Sequence, residues 1–175
     1  KVQVGLPEVL LGVIPGAGGT QRLPRMLGYQ VALEHILQGK IVRAPKALKV
    51  GMVDALAESR EAVLEAARSW IRENRHAKNP WDRANFEFPA PGPGSDDARN
   101  MLVVACAMLT KKTGGVMPSP KTAIVAVQEG SGLQFDRALE VEARHFTKLA
   151  VGDCAKDMIR TFFFHRSAVE KHEGL

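Results

Sequence analysis

The first five residues, KVQVG, alternate apolar and polar positions and predict a short extended segment. A glycine-rich loop follows, and then apolar residues fall into helical spacing. Residues 20–27 predict one helix, ended by Gly28, and residues 30–37 a second, with Val31, Ala32, His35 and Ile36 at helical intervals and Gly39 as its stop. Residues 44–50 predict a third, short helix that Gly51 terminates, and residues 52–56 a brief extended piece. Ser59 reads as the N-cap of a helix over 60–75, with Ala62, Val63, Ala66, Ala67, Trp70 and Ile71 on one apolar face.

From Asn79 to Ser95 the periodicity stops. The stretch NPWDRANFEFPAPGPGS is rich in Pro and Gly and reads as a linker over a surface, pinned by Trp81 and Phe86. Helical patterning then resumes. Residues 96–112 have an acidic first turn and a Lys-Lys last turn, which suit the helix dipole. Ser119 as N-cap with Pro120 at the first helical position opens the next helix, closed by Gly130. Residues 133–150 carry Phe135, Leu139, Glu142, Phe146 and Leu149, and Asp153 caps a last helix bearing Met158, Ile159, Phe162 and Phe163. The chain is thus helix-rich with very little strand. A strand that enters a glycine-rich turn implies a sheet, so the reading is a piece of an α/β domain.

Composition changes this picture little. The 175 residues are 45% hydrophobic, as one soluble domain or part of a larger one would be. Nothing resembles a signal peptide, and no apolar run approaches the roughly 18 residues of a membrane span, so an intracellular protein is expected. Cys106 and Cys154 are isolated in helix-like stretches, and the histidines show no ligand spacing with them, so neither a disulfide nor a metal site is expected. The net charge of +5 comes from scattered Lys and Arg, and only 6% of residues are aromatic. That is no stripe for nucleic acid, though a positive field suits an anionic, nucleotide-bearing small molecule.

The candidate chemistry lies in LPEVLLGVIPGAGGTQRLPR, residues 6–25. It lacks the Gly-Lys of a phosphate-binding P-loop and the G-x-G-x-x-G spacing of a dinucleotide site. Two readings stay open for its glycines: a plain structural turn, or a helix N-terminus whose free amides hold an anion, a polarised carbonyl or a water. Glu8 also has two readings. It is either an exposed loop acid or a carboxylate among Leu6, Val9, Leu10, Leu11, Val13 and Ile14 whose pKa is raised for acid–base work.

The run PEVLLGVIPGAGGTQRLPRMLG closely resembles the signature of the crotonase (enoyl-CoA hydratase/isomerase) superfamily. The match continues through Ala44, Ala47, Gly51, Met52, Val53 and Asp54, similar to that family's A-x-x-A-x-x-x-G-L-V-D segment. Ala98-Arg99, residues 118–124, 140–146 and 162–164 resemble one subgroup: the α-subunit type of multifunctional fatty-acid oxidation protein, in which linker helices join a crotonase domain to a 3-hydroxyacyl-CoA dehydrogenase. The resemblance implies an α/β crotonase-like fold, a ββα superhelix, of which this is a mostly helical C-terminal part plus linker helices. Residues 1–78 would close the hydratase/isomerase domain, 79–95 would form the Pro/Gly-rich linker, and 96–175 would lead toward the dehydrogenase. The first catalytic glutamate and the oxyanion amides would precede Lys1.

By motif position, Glu8 matches the family's acid/base glutamate at the substrate α-carbon. Gly16 matches a glycine whose backbone amide lies near the reacting water or acyl group. The helix N-terminus after the glycines is expected to face Glu8. The implied substrate is an acyl-CoA thioester, with no cofactor in this segment and NAD only for the dehydrogenase. The resemblance also implies a homo-oligomer or a complex with a thiolase subunit. It implies a cytoplasmic location in a bacterium, or a mitochondrial or peroxisomal one in a eukaryote. A non-catalytic helical docking segment of the same enzyme is the alternative.

Overall fold

The computed structural model describes residues 2–171. The opening strand β1 (Gln3–Gly5) pairs antiparallel with β2 (Ile41–Arg43), Val4 opposite Val42. Among the described residues this ribbon is the only sheet, so the structure is helical, as the patterning predicts, but the expected ββα superhelix is not seen in it.

Between the strands, Glu8–Leu11 form one 3-10 turn, closed by Gly12 in the left-handed region (φ 80°). The two predicted helices then follow end to end as α1 (Gly19–Gln38). Gly28, at φ 75° and ψ 170°, kinks it at the predicted break, and Gly39 ends it in the left-handed conformation. Helix α2 (Ala44–Lys49) is short, and α3 (Arg60–Glu73) is capped by Ser59, whose hydroxyl accepts the Ala62 N–H at 3.1 Å. Helices α4 (Asp96–Thr113), α5 (Pro118–Ser131), α6 (Phe135–Ala150) and α7 (Asp153–Ile159) follow. A π-type segment, Arg160–His165, leads into α8 (Arg166–Glu170).

Several local expectations are corrected. Residues 52–54 are bends and 55–56 irregular rather than a strand, and the strand β2 lies at Ile41–Arg43, a piece too short to show a period. Ser119 is not the cap of α5; Met117 holds that position, while the Ser119 hydroxyl donates to the Val9 carbonyl at 3.1 Å. Gly130 lies inside α5, with Gly132 beyond its end, and Asp153 is the first residue of α7 rather than its cap. The apolar face of α3 is left open, with Val63, Trp70 and Ile71 all more than half exposed.

One core joins the two ends of the chain. Ile14, Leu23, Tyr29, Ala32, Leu33 and Ile36 pack with Ala98 and Leu102 of α4 and Ala123, Ile124, Ala126 and Val127 of α5. Fully burying an isoleucine such as Ile14 or Ile36 contributes roughly 1.5–3 kcal/mol. Gly130 permits the close approach of α1 and α5, because a Cβ there would lie 2.2–2.6 Å from the Gln21 amide group. The linker is pinned as predicted for Trp81, which stacks on Phe135 at 4.9 Å; its second anchor is Phe88, against Tyr29.

Candidate active site

Pro7 begins the 3-10 turn that presents Glu8, and its carbonyl accepts the Leu10 N–H at 2.9 Å. The turn is fixed from two sides. Val9 is buried and held through its carbonyl by Ser119, and Gly12 lies so close to α7 that a Cβ would be 2.8 Å from the Ala155 Cα. Glu8 itself is half-buried, and its Oε2 is shut off from solvent without a hydrogen-bond partner. Burial pushes the Glu8 carboxyl above its ordinary value. Its own backbone N–H works against that shift, and the charge of Glu142 adds to it. An orphaned carboxylate oxygen with raised proton affinity is a group poised to carry a proton. Of the two readings open in the sequence, the half-buried position of Glu8 fits the second better than a fully exposed loop acid.

The glycine-rich turn, residues 16–19, turns tightly into α1. The Gly16 carbonyl accepts the Gly19 N–H at 3.0 Å, Ala17 sits at φ 51° and Gly18 at φ 86°. The expectation that the helix N-terminus faces Glu8 is corrected here. The carboxylate it holds belongs to Glu142 of α6: Glu142 Oε1 accepts the Gly18 N–H at 2.5 Å. Its Oε2 accepts the Thr20 N–H at 2.8 Å and the Thr20 hydroxyl at 2.6 Å. The free amides of the first turn and the positive end of the helix dipole are what a buried anion needs. Glu142 is 3% exposed, and no Lys or Arg pairs with it among the described residues.

Gly16 lies beside the Phe146 ring, where an added Cβ would make ordinary contact at 3.7 Å. Space at this position therefore does not demand glycine. It does at Gly18, where a Cβ would sit 2.9 Å from both Arg22 and Leu139, and at Gly19, 2.6 Å from the Pro15 Cβ. Leu139, Glu142 and Phe146 form one stripe of α6, and that stripe lies along the turn from Gly18 back to Gly16. The sequence did carry a signal for Glu142, because it occupies the centre of an otherwise apolar stripe.

The opposite pole of the α1–α6 contact is cationic. Arg25, 4% exposed, donates from Nη1 to the Gln21 carbonyl and Oε1 at 3.0 and 3.2 Å. From Nη2 it donates to the Gly130 and Leu133 carbonyls at 2.9 and 3.0 Å. It thus caps the C-terminal end of α5 while Glu142 caps the N-terminal end of α1. Gln21 adds a bond to the Ala126 carbonyl at 2.9 Å.

Two open clefts lie elsewhere. One of about 580 Å³ runs between α1 and α4, lined by Leu33, Leu37, Met101, Met108 and Leu109. The other, about 1010 Å³, lies under the apolar face of α3. Neither is lined by Glu8 or Gly16. Among the described residues no cluster of metal-ligating side chains occurs, and no helix is long and apolar enough to cross a membrane.

Residues 1–83 match the family model described as enoyl-CoA hydratase/isomerase. Over 175 residues the chain is 37% identical to the fatty acid oxidation complex subunit alpha of Shewanella loihica, a match covering 99% of this chain and 24% of that protein. The chain therefore spans about a quarter of the length of the curated relative it matches.

Proposed function

We propose, from the match of residues 1–83 to the enoyl-CoA hydratase/isomerase family, that Glu8 is the acid/base group of an enoyl-CoA hydratase/isomerase active site. The chain would be part of a multifunctional fatty-acid β-oxidation enzyme. The observation that carries the reading is the Glu8 carboxylate: half-buried, raised in proton affinity by its surroundings, with one oxygen left unpartnered at a rigidly held turn. In hydration of a 2-enoyl-CoA, water oxygen bonds to C3 and a proton is delivered to C2. A protonated Glu8 supplies the C2 proton, the water gives up one of its own as its oxygen bonds to C3, and that proton restores Glu8 for the next turnover. In isomerisation of a 3-enoyl-CoA the same carboxylate takes a proton from C2 and returns it at C4. Gly16 contributes its backbone amide beside the reacting group, a role that its tolerance for a Cβ leaves compatible with alanine.

A second carboxylate to hold the water and amides to stabilise the thioester oxygen complete such a site, and these we assign to other parts of a longer protein. Residues 1–78 then close the hydratase/isomerase domain, 79–95 link, and the following helices lead to a further, NAD-dependent domain. Because the relative is named as the subunit of a complex, we also propose that the longer protein assembles with a thiolase subunit.

A non-catalytic docking role has its own support in the open apolar face of α3 and in Phe162, Phe163 and Phe164, all more than half exposed. The discriminating experiment is Glu8→Gln in the intact protein. Hydratase and isomerase rates should both fall by about 10²-fold or more with acyl-CoA binding kept. Near-normal rates would leave only the docking role.

A further inference from the structure

The Gly16–Thr20 turn is not held by local hydrogen bonds alone. Ala17 is in the left-handed region at φ 51°, a conformation that costs a non-glycine residue roughly 1–2 kcal/mol and persists only where the surroundings enforce it. The N-cap position of α1 is Gly18, which has no side chain to accept the first-turn amides. The missing acceptor arrives from 124 residues further along the chain. Glu142 satisfies two amides and one hydroxyl of the turn at once, while Leu139 and Phe146 flank it at Gly18 and Gly16. Its own charge is compensated by these dipoles alone among the described residues, so turn and carboxylate each depend on the other.

We propose that Glu142 is a positioning residue of the hydratase/isomerase site: from α6 it locks the Gly16–Thr20 turn in place, so a helix outside the family-matching residues 1–83 completes the site. This rests on the reading of Glu8 and Gly16 given above. Glu142 touches no substrate; it acts by holding the backbone that carries Gly16. Releasing the turn lets Ala17 and Gly18 relax, and a displacement of about 1 Å in such a frame costs on the order of 10²-fold in rate.

The test uses the full-length enzyme with Glu142→Ala, Glu142→Gln, the control Arg144→Ala and Glu8→Gln. Arg144 is two-thirds exposed and pairs with Glu129 on the outer side of α6, away from the site. Hydration of a 2-enoyl-CoA is followed for kcat and KM, on protein whose folded fraction is measured by circular dichroism. The expected result is a kcat lowered roughly 10- to 100-fold in folded Glu142→Ala with KM changed much less. Glu142→Gln, which keeps one acceptor oxygen, should be intermediate, and Arg144→Ala near wild type. A wild-type kcat in folded Glu142→Ala overturns the proposal, as does a fall confined to KM. Should the alanine variant fail to fold, Glu142→Gln decides by the same criterion. If Glu8→Gln alone keeps full activity, the acid/base reading fails instead, independently of Glu142.

Discussion

Arg25→Ala offers the sharpest test of how the two ends of the chain are joined. The guanidinium is 4% exposed and makes four hydrogen bonds, two to Gln21 on its own helix and two to the carbonyls ending α5. Its ring neighbour Phe135 lies 5.5 Å away in cation–π geometry. After truncation the Gly130 carbonyl keeps the Leu133 N–H at 3.1 Å, so the acceptors that lose a partner are chiefly the Leu133 carbonyl and Gln21 Oε1. Each buried acceptor left unsatisfied costs about 1–3 kcal/mol. The lost cation–π contact and end-of-helix charge add about 1 kcal/mol. The relief of no longer burying a cation works the other way, and burial does lower the Arg25 pKa. The expected net loss is about 3 kcal/mol, a large fraction of a typical domain's stability. Arg25→Lys, a single ammonium that reaches Gln21 or the α5 end but not both, should lose about half as much. Urea unfolding of the 175-residue chain, read by circular dichroism with the slope m held unchanged, measures both. An Arg25→Ala variant within about 0.5 kcal/mol of wild type would refute the reasoning, because that is how an unengaged surface residue behaves.

Glu8→Gln should stabilise the fold increasingly as pH rises. The folded-state pKa of Glu8 lies above its ordinary value of 4.5, so its contribution to stability is fully present below that value and is lost as pH climbs through the folded pKa. Urea midpoints between pH 4 and 8 should show the glutamine variant gaining on wild type across that window and then levelling; a constant or shrinking gap would contradict the burial argument. Gly130→Ala should destabilise by about 1–3 kcal/mol, since its methyl falls on the buried Gln21 amide, whereas Gly16→Ala should cost well under 1 kcal/mol. Thermal melts of the pair check this, and equal losses would mean that α1 and α5 do not meet as closely as described.

Local chemistry made part of this structure readable in advance. Glycines at 28 and 39 marked the kink and the end of α1, and Ser59 marked the start of α3, because these signals act within a few residues. Glu8 stood out as a lone acid in an apolar run. What could not be read are features made by distant partners. Strand β2 is three residues long and exists through its pairing with β1. Ser119 has a capping side chain, yet its hydroxyl goes to Val9 across the core. Glu142 stands in the apolar stripe of Phe135, Leu139 and Phe146, a visible oddity, but what its carboxylate meets, the glycine turn, is set only by the placement of α6. The open face of α3 makes the converse point: a periodic apolar stripe predicts a helix, not what covers it.

The central claim is that Glu8 moves the proton at the α-carbon. Hydrating a 2-enoyl-CoA in D2O with the intact enzyme and following deuterium at C2 of the 3-hydroxyacyl product by mass spectrometry tests it directly. Wild type should label C2 once per turnover, and Glu8→Gln should lower the labelling rate by about 10²-fold or more while binding the thioester as before. C2 labelling by Glu8→Gln at the wild-type rate would contradict the account.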